Sequence, residues 1–130
     1  MFISKLNLEQ QNVLLALAER IAAADGVSHE EETLLMAALK AQSQQGVAPS
    51  TVELSELAGI FDSPAEKNAL MLELLGIAFA DSDYHESEKA LVNEVATAIG
   101  IDVELLSDME AWVSRQIMLV QEANSFLGEA

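Results

Sequence analysis

Residues 21–35 read IAAADGVSHEEETLL, and residues 77–91 read IAFADSDYHESEKAL. Aligned without a gap, Ile21, Ala22, Ala24, Asp25, His29, Glu30, Glu32 and Leu35 match Ile77, Ala78, Ala80, Asp81, His85, Glu86, Glu88 and Leu91, eight of fifteen positions. The chain has two histidines, and they fall at equivalent places. In each copy an apolar helical pattern runs up to the aspartate, a turn follows, and acidic residues open a second apolar pattern. Such a duplication describes two related helical hairpins.

Helix signals continue on both sides of the repeat. Asn7 with Gln10 forms a capping-box pattern. It opens a helix to about Ala24 with Val13, Leu14, Leu17, Ala18 and Ile21 on one face. Gly26 suits the left-handed stop. Ser28 and Glu31 cap a second helix, which reaches about Gln45 and carries Leu35, Met36 and Leu39. Gly46 to Ser50 is a loop broken by Pro49. Ser50 and Glu53 cap a short helix through Leu54, Leu57 and Ala58. Ser63, Pro64 and Glu66 give a cap, a proline at the first helical position and a glutamate at the third. The helix they open, to about Ala80, is apolar nearly all round in its second half, which is the pattern of a central, buried helix. Asp83 or Tyr84 begins the next, with Leu91, Val92, Val95, Ala96 and Ile99, stopping at Gly100. Asp102 caps a final helical region to about Phe126, with Leu106, Met109, Val113, Ile117 and Val120 in its stripe and Trp112 beside it; a break near Ser107 and Asp108 is the alternative that would make seven helices of six. Strand alternation is almost absent. The expected fold is all-α: one compact domain over residues 1–130, a bundle of six to seven helices containing two pseudo-symmetric helical hairpins.

Composition narrows the function. The chain has 130 residues, about one domain, and 51% of them are hydrophobic, enough to build a core. With no cysteine, disulfides and thiolate metal sites are excluded. No apolar run reaches the ~18 residues of a spanning helix, so no direct membrane insertion is expected. The opening Met-Phe-Ile-Ser-Lys-Leu is too short and too weakly basic for a signal peptide, so a cytoplasmic location is expected. Twenty-two acids against six bases give a formal net charge of −16. That surface repels nucleic-acid phosphates and anionic lipid, and attracts cations or basic proteins.

The repeated acids suit a hard cation. Asp25 and Asp81 come at the ends of helical patterns, where carbonyls are unpaired and the helix dipole disfavours negative charge. Seven residues on, Glu32 and Glu88 lie one turn into the following helix, within reach of a chain folded back by a tight turn. Two carboxylates ~4 Å apart near a protein surface repel by about 4 kcal/mol unless a proton or cation intervenes. An aspartate, one or two glutamates and spare carbonyls make an all-oxygen shell, fitting calcium, magnesium or manganese. Glu31 and Asp83 are second candidates, because capping already explains them. His29 and His85 would tilt the choice towards manganese or zinc, but first-turn exposure explains them as well. The plainer alternative is that first-turn acids answer the helix dipole without metal. It does not explain why aspartate, histidine and glutamate recur together. The spacing is not an EF-hand: counting from Asp81, the glycine position holds Glu86 and the closing-glutamate position holds Val92.

With these residues in view, the pair ADGVSHEEETLL and ADSDYHESEKALV resembles the tellurite-resistance TerB-like family, whose motif is Ala-Asp-Gly, a short gap, then glutamate and an apolar helix, present twice. The likeness covers about residues 10–126, and its specific part is the two motifs. It implies an all-helical, pseudo-symmetric fold and an acidic metal cluster carried by Asp25, Glu32, Asp81 and Glu88. It also implies a setting in tellurite resistance or related bacterial stress systems, working with membrane partners. The second motif departs from the pattern at Ser82, in place of glycine, and at the added Asp83. Related domains occur in J-domain co-chaperones, but the His-Pro-Asp signature is missing from this sequence.

The expected function is a non-enzymatic, divalent-cation-binding accessory or scaffold protein in such a stress response, with a protein partner that is basic or membrane-associated. The alternative is an acidic protein–protein interaction module that binds no metal. A hydrolase using cation-activated water ranks last. No phosphate loop, HExxH, serine elbow, separate base or oxyanion donor accompanies the acids.

Overall fold

Asn7 starts the first long helix by a reciprocal cap: its Oδ1 accepts from the Gln10 backbone N–H, and its own N–H donates to Gln10 Oε1, both at 2.8 Å. A computed structural model describes residues 2–24, 34, 37–41, 43, 46, 52–79 and 86–128. Among these, every regular element is helical and none is a strand. The long helices are α1 (Leu8–Ala24), α3 (Pro64–Ala78), α4 (Glu86–Ala98) and α5 (Val103–Phe126). A single-turn helix α2 (Leu57–Ile60) and 3-10 turns at Ile3–Lys5 and Leu54–Glu56 complete the described elements. Residues 37–41 are also helical, with Leu39 buried as its stripe position requires.

Helix α3 opens as its sequence dictates. Ser63 Oγ accepts from the Glu66 N–H, Glu66 Oε1 accepts from the Ser63 N–H, and Pro64 takes the first helical position. The Gln10 side-chain amide, helped by Ser63, holds the Glu66 carboxyl below its usual range. A glutamate held low contributes stability above its unfolded pKa, and that contribution is lost as pH falls through the folded value. Helix α3 packs against α1, α4, α5 and the 3-10 turn at Ile3–Lys5. Leu70, Met71, Leu74, Leu75 and Ala78 are buried, and Leu72 and Ile77 are partly so. It is the central helix that its all-round apolar second half predicted.

Helix α1 is buried more completely than its one-face pattern suggested. Residues 13–18 are all buried, including Leu15 and Ala16 off the expected stripe. Two polar residues join them. Gln10 Nε2 donates to the Ile60 carbonyl at 2.8 Å, and Gln11 Nε2 donates to the Leu6 carbonyl at 2.9 Å. A buried amide must keep its hydrogen bonds, and these two tie the N-terminal turn and the α2 end to α1.

Two boundaries differ from expectation. The short central helix begins as a 3-10 turn capped by Glu53 and Glu56, and Ala58 faces solvent. Helix α3 ends at Ala78, with Phe79 as its C-cap. Helix α5 is unbroken through Ser107 and Asp108: Leu106, Met109 and Val113 hold both sides of that point against the core, and two helix-tolerated polar residues do not outweigh them. Helix α4 stops as expected at Gly100. The Ile101 N–H reaches the Ala96 carbonyl at 2.9 Å and the Gly100 N–H reaches Thr97 at 3.2 Å, with Gly100 at φ 79°, the six-to-one and five-to-two bonds of a Schellman stop. Asp102 then caps α5 through the Leu105 N–H at 2.7 Å.

The buried side chains of the N-terminal 3-10 turn, of α2 and of all the long helices form one apolar cluster. Among the described residues no helix is long and apolar enough to cross a membrane.

Candidate functional site

Each motif copy begins in the last turn of a long helix, and the second ends within the next long helix, α4. Ile21 and Ala22, buried near the end of α1, correspond to Ile77 and Ala78 at the end of α3, where Ala78 is buried and Ile77 partly so. The matched apolar pair therefore anchors the last turn of a long helix in both copies. In sequence, Asp25 follows directly on Ala24, the last residue of α1, and Asp81 comes three residues after the end of α3.

Helix α4 carries the far half of the second motif. Glu86, Ser87 and Glu88 form its first turn, where exposed N–H groups and the helix dipole favour carboxylates. Glu86 and Ser87 face solvent. Glu88 does not: it is 1% exposed. Leu91, Val92, Val95 and Ala96, three, four, seven and eight residues on, are all buried. Glu88 thus heads the core-facing stripe of α4, a position for which an apolar side chain is the default. Taking a carboxylate out of water is expensive unless it is hydrogen-bonded, paired or bound to a cation. Glu88 has polar or electrostatic interactions within the protein. The dipole of its own first turn accounts for an acid there, but an exposed one would serve equally, as Glu86 does.

Of the other sequence-derived candidates, Asp25, Glu32, Asp81, Glu31, Asp83, His29 and His85 lie outside the described residues. Among the described residues, which hold Glu88 alone of that set, no group of three or more acidic or histidine side chains is arranged to hold a metal ion. Glu88 offers oxygen donors alone, a donor type that suits hard cations better than soft metals.

Shallow grooves flank Phe79, just after α3. One is lined by Phe79, Ser114, Ile117, Met118 and Gln121, another by Phe79, Lys89, Ser107, Glu110 and Ala111. The sequence reading missed this meeting of Phe79 with α5. The signal available was the apolar run continuing through Phe79 past the helix end. Trp112, beside the core stripe of α5, stacks at a tilt on Phe2 with ring centroids 5.8 Å apart and keeps one side in solvent.

A family model described as Tellurite resistance protein TerB matches residues 16–111, well over half of the chain. That span holds both motif copies. No curated protein and no solved structure matches the chain.

Proposed function

The chain belongs to the TerB tellurite-resistance family, and from that premise we propose that it is a non-enzymatic accessory protein whose paired acidic motifs bind a divalent cation. The observation that carries the reading is the burial of Glu88 at a motif position. A carboxylate heading an apolar stripe is a costly choice for packing and an apt one for a cation ligand. Asp81 and Glu88 would serve the second motif, and Asp25 and Glu32 the first, with Glu31, Asp83, His29 and His85 as secondary donors. An all-oxygen set favours calcium, magnesium or manganese over zinc. The bound cation would supply charge neutralisation and a cross-link between two helices, which is a structural role. Its setting in tellurite or related stress resistance is the family's.

A second reading is supported by the −16 charge: an acidic interaction module that docks a basic partner and holds no metal. Isothermal titration with calcium, magnesium, manganese and zinc at matched ionic strength separates the two. Saturable binding to the wild type, with the second motif's share lost in Glu88→Gln and Asp81→Asn, is the expected result. Four featureless titrations would overturn the cation reading in favour of the interaction module.

A further inference from the structure

The second half of α5 leaves the core while remaining apolar. Its core stripe ends at Val113 and the partly buried Ile117, yet the helix continues to Phe126. Met118 is 63% exposed, Leu119 64% and Phe126 81%. Trp112, Leu119 and Phe126 are seven residues apart, and Arg115 and Glu122 follow the first two at three. The line Trp112–Arg115–Leu119–Glu122–Phe126 has the alternating three-and-four spacing of a coiled-coil seam. All five residues are solvent-facing. The segment lies past residue 111, where the family match ends.

Charge identifies the occupant. From Ala111 to Gly128, Arg115 and Glu122 are the two charged residues, one of each sign. The segment is therefore neutral in a molecule of charge −16, and a basic partner would find its complement elsewhere on the surface. A second copy finds it here. In an antiparallel pairing with its two-fold axis between Met118 and Leu119, Arg115 of each copy faces Glu122 of the other, twice by symmetry, and the exposed Met118 and Leu119 meet between the pairs. Two acidic molecules repel, and a neutral face is where that repulsion opposes contact least. We propose that residues 111–126 of α5 form a self-complementary surface through which two copies of this chain associate as an antiparallel helix pair. The inference does not rest on cation binding.

The overlap spans about 16 residues, or roughly 24 Å of helix. One helix pair of that length falls short of the about 800 Å² per partner of a standard interface. The dimer is accordingly weak, with a dissociation constant of about tens to hundreds of micromolar.

Sedimentation equilibrium of the full chain, in chelator and at about 0.15–0.5 M salt to screen the net charge, reads the association directly. Wild type is expected to dimerise, and Leu119→Glu to be monomeric with an unchanged circular-dichroism spectrum. Arg115→Glu and Glu122→Arg are each expected to weaken association about tenfold, since each places like charges together twice. The double variant Arg115→Glu/Glu122→Arg is expected to recover it. A wild type that stays monomeric at millimolar concentration overturns the proposal. So does a dimer indifferent to Leu119→Glu, or a double swap no better than either single one. Because chelator is present throughout, failure here leaves the cation reading untouched, and the converse holds for the titrations.

Discussion

Glu88 occupies the place on α4 that Leu91 and Val95 would lead one to fill with another aliphatic residue, and it is buried as they are. Its neighbour in the repeat pattern, Glu86, sits in the same first turn but in solvent. The contrast separates the dipole's share of the acidic pattern from what the dipole cannot account for. The same logic sorts the first motif, where Glu30 matches Glu86 and Glu32 matches Glu88. Asp25→Asn, Asp81→Asn and Glu88→Gln are therefore predicted to abolish most of the rise in melting temperature that divalent cation gives the wild type, whereas Glu30→Gln should keep it. Without cation, the two aspartate variants should match the parent or exceed it slightly, because a charge opposed by the helix C-terminus has gone. Thermal melts of the four variants with and without cation check this. Equal losses for Glu30→Gln and Asp25→Asn would mean a diffuse ion cloud in place of a site.

At the scale of the element, the helices begin and end where local chemistry tells them to. Two glycines test this with opposite signs. Gly100 is at φ 79° in the stop of α4, and an added Cβ would meet nothing within 4 Å. Gly100→Ala should therefore cost about 1–2 kcal/mol through backbone strain alone. Gly76 lies within α3, exposed, also with nothing within 4 Å of an added Cβ. Gly76→Ala should stabilise by about 0.5–1 kcal/mol, as alanine replaces glycine in a helix interior. Urea denaturation midpoints read both, and two shifts of the same sign would contradict the assignment of either glycine. By contrast, Leu74→Ala, at a fully buried position of the same helix, should cost about 2–5 kcal/mol.

For the whole molecule, the dominant electrostatic fact is a net charge of −16 on 130 residues. Any salt relieves self-repulsion, so the informative comparison is between ions at equal ionic strength. If the motifs hold cations, divalent salt at 100 times the dissociation constant should add about 2.7 kcal/mol over sodium chloride. Melting temperatures that coincide in the two salts would leave only screening, and the acidic surface would then be read as a docking face for a basic partner.

The helical class, most of the described helix ends and the repeat are legible in the order of the residues alone. Those features rest on interactions within four or five residues, as at Asn7 with Gln10, Ser63 with Glu66, Asp102 with Leu105 and Gly100 with Thr97. The repeat likewise made Glu88 legible as a candidate, through its match to Glu32 and its seven-residue spacing from Asp81. What that order leaves open is burial, because burial depends on surfaces brought together from far along the chain. Long-range packing sets the rest: α1 is enclosed on every side at residues 13–18, Gln10 answers the carbonyl of Ile60 fifty residues away, and Glu88 lies inside while Glu86 lies outside. It also sets the two ends of α5: packing carries the helix straight through Ser107 and Asp108, and the core gives out before Leu119 and Phe126. One apolar pattern is therefore partly core and partly open surface, because a side chain is buried only where another element is present to cover it.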